Sequence, residues 1–343
     1  MNKKVCVIGN YGNPGNENNG QTIKTKTIVK ALVDKYGKDA VIVADTNRIS
    51  NKTSEILQGL FNAIVNADLI VLAVCDYAIK LLAVPIFLLA KIQRKRIIYI
   101  LIGGWLGRFA EEHPASRWAL KRYDCIFAET KVTGEELKKQ GFSNISYIDN
   151  CKYLSLQEQS DCISKTNIKF CTLSRVVPEK GIEEAINAVV MASQSSELSY
   201  SLDIYGEISP DYKEQFDRLI NLHSRYVRYK GIAKFNDCPK VISAYDALLF
   251  PTRVMTEGMP GTVIDAMFAG TPVIATRWNA CQEIIKDGYN GFSYLGDETQ
   301  LYTIISRKDI KETLVSMRQN CLAVAKRFTP EVALSPLFRI FEE

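Results

Sequence analysis

The strongest restriction on the fold is a repeated alternation in which short runs of apolar, β-branched residues are each followed by a stretch of helical periodicity. KVCVIGN leads into a helix near 21–36 and AVIVADT into one near 54–66, while DLIVLAV, RIIYILI and DCIFAET supply further strands. Strands buried on both faces read as continuous apolar runs, and parallel neighbours need crossover helices. The alternation therefore predicts a parallel sheet covered on both sides. In the first helix Ile28, Ala31, Leu32 and Tyr36 fall on one face, which marks the side that packs.

The polar stretch NCKYLSLQEQSDCISKTN interrupts this pattern, and IKFCTLSRVVPEKG restarts it. A second series follows through YSLDIYG, VRYKG, DALLFPT and PVIAT. With 343 residues the chain is longer than one hydrophobic core comfortably serves, so two open α/β sheets in tandem are expected. The boundaries read as 1–155 for the first domain and 156–326 for the second. The last helical stretch, 327–343, is expected to pack back on the first domain and leave a cleft between the sheets.

Composition narrows the class. Hydrophobic residues make up 47% and charged residues 24%, which is globular composition with no disordered tail. Nine cysteines show no C-x-x-C pair and no regular framework, so they read as buried thiols rather than disulfides or metal ligands. The first residues, MNKKVCVIGN, enter a strand without the apolar core of a secretion signal, so a cytoplasmic chain is expected.

The net charge of +5 is unevenly placed, since residues 77–123 hold nine Lys/Arg against Glu111 and Glu112 alone. Within that segment AIKLLAVPIFLLAKIQRKR joins an apolar stretch, too short to span a bilayer and broken by Pro85, to a basic cluster. Two readings fit: a peripheral contact with an anionic membrane surface, or a core helix followed by a solvated turn. Nucleic acid is not expected as a partner, because no aromatic-basic interleaving or reader motif accompanies the charge.

Ligands of open α/β sheets gather beyond the carboxyl ends of the strands, so the loops there carry the candidate residues. The loop YGNPGNENNGQTIKTKT has glycines at 12, 15 and 20 which, with Gly9 just before it, do not spell a dinucleotide fingerprint. Gly20, beside a helix start, reads either as part of a flexible turn or as a place where backbone approaches a phosphate or sugar. In SRVVPEKGIEEA, Arg175 and Lys180 converge on a helix N-terminus. Cations oppose that end of the macrodipole unless an anion lies between them, which suits a diphosphate; the competing reading is a solvated pair balanced by Glu179 and Glu183.

The most informative stretch is FPTRVMTEGMPGTVIDAMFAGTPVIAT. Glu257 stands in a Gly/Pro-rich loop, whereas Asp265 stands inside a helix beginning near Thr262. The helix acid can accept hydrogen bonds from a ribose diol, and exposed amides over Gly258, Met259, Pro260, Gly261 and Thr262 form a phosphate seat, Pro260 shaping the turn without an N–H of its own. Two histidines with no H-E-x-x-H pattern and no loop D-x-D leave metal chemistry without a ligand set, so no metal is expected.

These residues, TEGMPGTVIDAMFAGTPVIAT preceded by LSRVVPEKG and followed by QEIIKDGYNGF, resemble the retaining GT-B glycosyltransferases of family four, the glycosyl transferases group 1, of the surface-polysaccharide type. The resemblance is strong over about 168–295 and architectural elsewhere. It implies an α/β fold of two Rossmann-like domains facing a cleft, the first binding the acceptor and the second the nucleotide sugar. It implies that Arg175 and Lys180 neutralise the donor diphosphate, Glu257 contacts the transferred sugar, Asp265 holds the ribose and Glu283 supports the donor side. A UDP-sugar is the leading donor, a saccharide or lipid-linked saccharide the acceptor, and no cofactor is needed.

Two departures from the family pattern stand out. The helix acid is Asp265 where the family has Glu, and the position where members commonly place a first-domain histidine reads LIGGWLG. On the acceptor side this leaves Gly103 and Gly104 for close backbone approach, Trp105 as a sugar-stacking ring, a membrane anchor or a core residue, and His113 further along the loop. Two other functions remain open from the residues alone: a sugar-nucleotide epimerase of similar architecture, and a nucleotide-sugar-binding protein without activity.

Overall fold

A computed structural model describes residues 3–12, 20–46, 53–157, 167–196 and 198–343, with backbone only at 53–57. Gly15, Cys162 and most of the polar stretch after Lys152 lie outside the described residues. The chain divides into two compact units, Met1–Tyr153 with Phe328–Glu343, and Leu154–Arg327.

In the first unit the strands are β1 (Val5–Gly9), β2 (Val41–Asp45), β3 (Leu69–Ala73), β4 (Arg96–Ile100), β5 (Cys125–Ala128) and β6 (Ile145–Tyr147). Its helices are α1 (Gly20–Tyr36), α2 (Thr53–Val65), α3 (Asp76–Ile92), α4 (Leu106–Glu112), α5 (Pro114–Leu120) and α6 (Lys131–Lys139). The six strands are parallel in the order β2-β1-β3-β4-β5-β6.

The second unit holds β7 (Asn167–Leu173), β8 (Ser199–Tyr205), β9 (Val227–Tyr229), β10 (Ala247–Phe250), β11 (Val273–Thr276) and β12 (Gly291–Tyr294). Between and after them run α7 (Ile182–Ser195), α8 (Lys213–Leu222), α9 (Cys238–Ile242), α10 (Gly261–Phe268), α11 (Glu298–Ile305) and α12 (Ile310–Ala325). This sheet is also parallel, ordered β12-β11-β10-β7-β8-β9. The chain then rejoins the first unit through α13 (Pro330–Ala333) and α14 (Ser335–Glu342).

The expected periodicities account for the packing. β1 and β3 are buried along their whole length, and α1 presents Ile28, Ala31 and Leu32 to them. Phe338 and Phe341 of α14 close that face, with Tyr36 edge-on to both rings. In the second unit α7 buries Ile182, Ala185, Ile186 and Val189, each larger side chain contributing about 1.5–3 kcal/mol of burial. Seven of the eight cysteines in the described residues are buried and Cys75 is half-buried, all as free thiols.

The strand order matters most for function. In each sheet the winding reverses, between β1 and β3 in the first and between β7 and β10 in the second. At such a switch point neighbouring crossovers leave toward opposite faces and open a crevice beyond the strand ends. At the second crevice the backbones cross closely: Gly181 has φ 66°, and a Cβ there would stand 1.9 Å from the Pro251 carbonyl oxygen. Gly181→Ala is expected to cost about 3 kcal/mol or more, combining left-handed strain with a backbone clash that cannot relax. Denaturant unfolding should show it as a lowered midpoint.

Candidate active site

The loops after β7 and β10 bring the candidates of the second unit together. Past β7, Val177 is extended and Pro178–Lys180 forms one tight turn that ends on Gly181 and starts α7. The Lys180 ammonium ion-pairs with Glu257 from the loop after β10, the two side chains being 15% and 17% exposed. Lys180 also lies over the Phe250 ring, 5.6 Å from its centroid. Thr252 donates its hydroxyl to Glu257 Oε1 at 3.3 Å and accepts the Val254 amide at 3.2 Å, so it fixes the start of that loop. Arg175, exposed on the first loop, forms no ion pair with a described carboxylate and is open to a ligand.

α10 begins where the second loop ends, with Pro260 extended ahead of it and no side chain capping its first amides. Thr262 instead donates its hydroxyl to the Leu173 carbonyl at 2.8 Å, which ties the helix start to the end of β7. Gly258 is held from the other side, its carbonyl accepting Trp278 Nε1 at 3.3 Å, while Met259 is buried. Asp265 lies one turn into α10 and is 2% exposed, so its carboxylate sits almost wholly inside the protein. Nearby on α7, burial raises the Glu184 carboxyl above its ordinary range, against the hydrogen bond from Tyr294 at 2.7 Å and the charge of Arg253.

A cation and a carboxylate held together beside uncapped helix amides and a second, unpaired cation suit an anion carrying a hydroxylated group. Phosphate oxygens can replace the Glu257 carboxylate around Lys180, and the released carboxylate can accept hydrogen bonds from hydroxyls. Among the described residues no group of three His, Cys, Asp or Glu is placed to hold a metal ion.

In the first unit, Gly103 has φ 82° and its amide donates to Glu129 Oε2 at 3.1 Å. Trp105 is half-buried; its Nε1 donates to the Ile102 carbonyl at 2.8 Å and its ring meets Phe109 edge-on. His113 stacks on the other side of Phe109 at 4.3 Å, with Nδ1 3.0 Å from the Phe109 carbonyl oxygen. Trp105 and His113 thus share one cavity of about 410 Å³ with Asp76, Tyr77 and Lys80. Gly104, half-buried, joins this turn to α4. Gly20 opens α1 but has open space around it, whereas Gly9 takes the close approach: a Cβ there would meet Thr25 at 2.6 Å.

The sequence also held residues whose place was not foreseen. Lys24 stands on the inward face of α1, one turn before Ile28, and is 4% exposed in an ion pair with Glu129 at the end of β5. Its ammonium also donates to the Leu101 carbonyl at 3.2 Å. A lysine at an apolar helical position and an acid directly after a buried strand are the signals that would have found this pair.

Residues 167–307 match the family of glycosyl transferases group 1. This part of the second unit is similar to the group 1 glycosyltransferases. The chain is 23% identical over 174 residues to an uncharacterized glycosyltransferase of Methanocaldococcus jannaschii, covering 49% of this chain and 46% of the relative. It is 24% identical over 170 residues to the UDP-Gal:alpha-D-GlcNAc-diphosphoundecaprenol alpha-1,3-galactosyltransferase of Escherichia coli, covering 48% and 43%. The chain thus spans about half the length of the curated relatives it matches. Among solved structures, Anabaena HepE in complex with UDP superposes with a TM-score of 0.78 at 18% identity over 99% of both chains. That likeness shows the fold, the two-sheet GT-B architecture the sequence resemblance implied.

Proposed function

We propose that the chain moves a sugar from a UDP-sugar to a hydroxyl of a saccharide or lipid-linked saccharide, with retention at the anomeric carbon and without a metal ion. The observation that carries this reading is the Lys180–Glu257 pair at the β7/β10 switch point. In the proposal 156–326 is the donor domain, and 1–155 with 327–343 the acceptor domain. Arg175 and Lys180 offset the charge on the departing diphosphate, Glu257 contacts the transferred sugar, and the amides around Gly258–Thr262 receive phosphate oxygens. Asp265 meets the ribose. Gly20 leaves room for the donor to approach the backbone, and Gly103, Gly104, Trp105 and His113 face the acceptor.

The bond broken joins the anomeric carbon to the diphosphate oxygen, and the bond formed joins that carbon to the acceptor oxygen, whose proton leaves with the diphosphate. The UDP in the HepE complexes supports the donor base. A diphosphoundecaprenol-linked sugar in the name of the Escherichia coli relative supports a lipid-linked acceptor and work at the inner face of the membrane.

UDP at about a hundred times its Kd is expected to raise the melting temperature by roughly 5–10 °C, and Arg175→Ala to abolish the rise. Incubation with a panel of UDP-, GDP- and ADP-sugars then separates the functions. Nucleotide release only with acceptor supports transfer; release without one points to an epimerase or hydrolase, and binding alone to a sensor.

A further inference from the structure

α3 is apolar on the side that should face water. Its inward arc, with Ile79, Leu82, Ile86 and Phe87, packs in the core of the first unit. Its outward arc carries Tyr77, Leu81, Leu88 and Ile92, exposed by 62%, 46%, 48% and 76%, with Pro85 between them. On α5, Trp118 adds a ring 43% exposed, edge-on to Phe87 at 5.3 Å. A surface helix of a globular protein ordinarily turns polar residues outward, and a contiguous exposed apolar stripe marks a contact surface.

Cations border this stripe. Lys80 and Lys91 flank it on α3, Arg122 lies over Trp118 at 4.6 Å, and Arg94 and Lys95 follow the helix end. Lys91, Arg94, Lys95, Arg96 and Arg122 line one cavity of about 440 Å³ with a single acid, Asp124, whose carboxylate is already engaged by the Ile97 amide at 2.7 Å. No described carboxylate pairs with Lys80, Lys91, Arg94 or Lys95. The helix dipole alone would draw cations to this end, but it does not explain the apolar stripe they border.

Arg94 stands out further. It has φ 54°, and the Lys95 amide bonds back to the Ala90 carbonyl at 2.8 Å, the left-handed helix ending that glycine normally takes. The chain keeps a cation here against its own backbone preference.

We propose that the outward face of α3, with Trp118, rests in the interface of an anionic lipid bilayer, and that Lys80, Lys91, Arg94, Lys95 and Arg122 meet lipid phosphates. Apolar side chains entering the acyl boundary beneath a basic rim give the two signals that surface anchoring needs. No helix among the described residues is long and apolar enough to cross a membrane, so the contact lies along the surface. The purpose of such docking rests on the lipid-linked acceptor proposed above; the binding itself is measured without any transfer.

The test is co-sedimentation of the full chain with vesicles of phosphatidylcholine, with and without phosphatidylglycerol, at low and high salt. Binding is expected only with phosphatidylglycerol and should weaken with salt. Arg94→Gly with Lys95→Gln should lower it about thirtyfold without lowering the melting temperature, since glycine relieves the left-handed backbone. Leu88→Gln with Ile92→Gln should lower it as well. Every variant should keep the UDP-induced shift. Failure to bind phosphatidylglycerol vesicles overturns the proposal, as does a dimer of this chain that dissociates on Leu88→Gln with Ile92→Gln. Loss of the UDP shift in the unaltered chain would instead count against the donor reading and leave the vesicle result standing.

Discussion

Lys180→Ala is expected to lower kcat/KM for the nucleotide-sugar donor by about 10²–10³, the scale on which a single preorganised partner of a developing charge acts. In the free protein the Lys180 ammonium is held by Glu257 in a partly dehydrated pocket, against the Phe250 ring and next to Thr252. Its position is therefore fixed before any ligand arrives, and little reorganisation is left for the reaction. Removing it also leaves Glu257 facing an incoming diphosphate, so repulsion adds to the lost attraction.

The partner substitution separates the two proposed roles. Glu257→Gln should leave UDP binding intact or tighter, because Lys180 no longer has to leave a carboxylate, while transfer falls. Steady-state kinetics together with UDP titration of both variants checks this. Lys180→Ala binding UDP as well as the unaltered chain would remove the diphosphate from this pocket.

Lys24→Met is expected to destabilise the chain by about 3–5 kcal/mol, the cost of leaving one member of a buried ion pair uncompensated. Both partners are nearly inaccessible, at 4% and 5% side-chain exposure, and Glu129 has a second task in receiving the Gly103 amide. Lys24 in turn holds the Leu101 carbonyl, so the pair pins both sides of the turn leading to Trp105. The double replacement Lys24→Met with Glu129→Gln should recover a large part of the loss, since glutamine can still accept the Gly103 amide without a buried charge. Denaturant unfolding of the two single and one double variant measures the coupling; additive losses would show that the two side chains act separately.

Much of this was legible in the chain. The apolar strand runs and the one-sided helices led to two parallel sheets because burial on both faces leaves its mark residue by residue. The TEGMPGTVID stretch and the SRVVPEKG loop pointed to one ligand, since each combines charge with glycine and proline in a loop after a strand. The stretch around Pro85 allowed both a core helix and a surface contact; α3 buries one arc in the core, and its opposite arc carries exposed apolar residues, a division that follows from the helix's rotation about its axis. The sequence singles out Gly20 for close backbone approach to a ligand, whereas the tight approach within the fold falls at Gly9, against Thr25, a contact set by how α1 lies on the sheet.

Local pattern by itself determined which segments are strands, which are helices and which face of most helices turns inward, because each of those choices is settled by neighbours within one or two turns. Strand order belongs to the tertiary structure alone. It places β7 beside β10 and so brings Lys180 to Glu257 across 77 residues of sequence, and it sets α1 against β5 so that Lys24 meets Glu129 across 105. The physical reason is that a crossover connection can return to either edge of a parallel sheet with the same local sequence. Which edge it takes is decided by how the assembled faces bury one another.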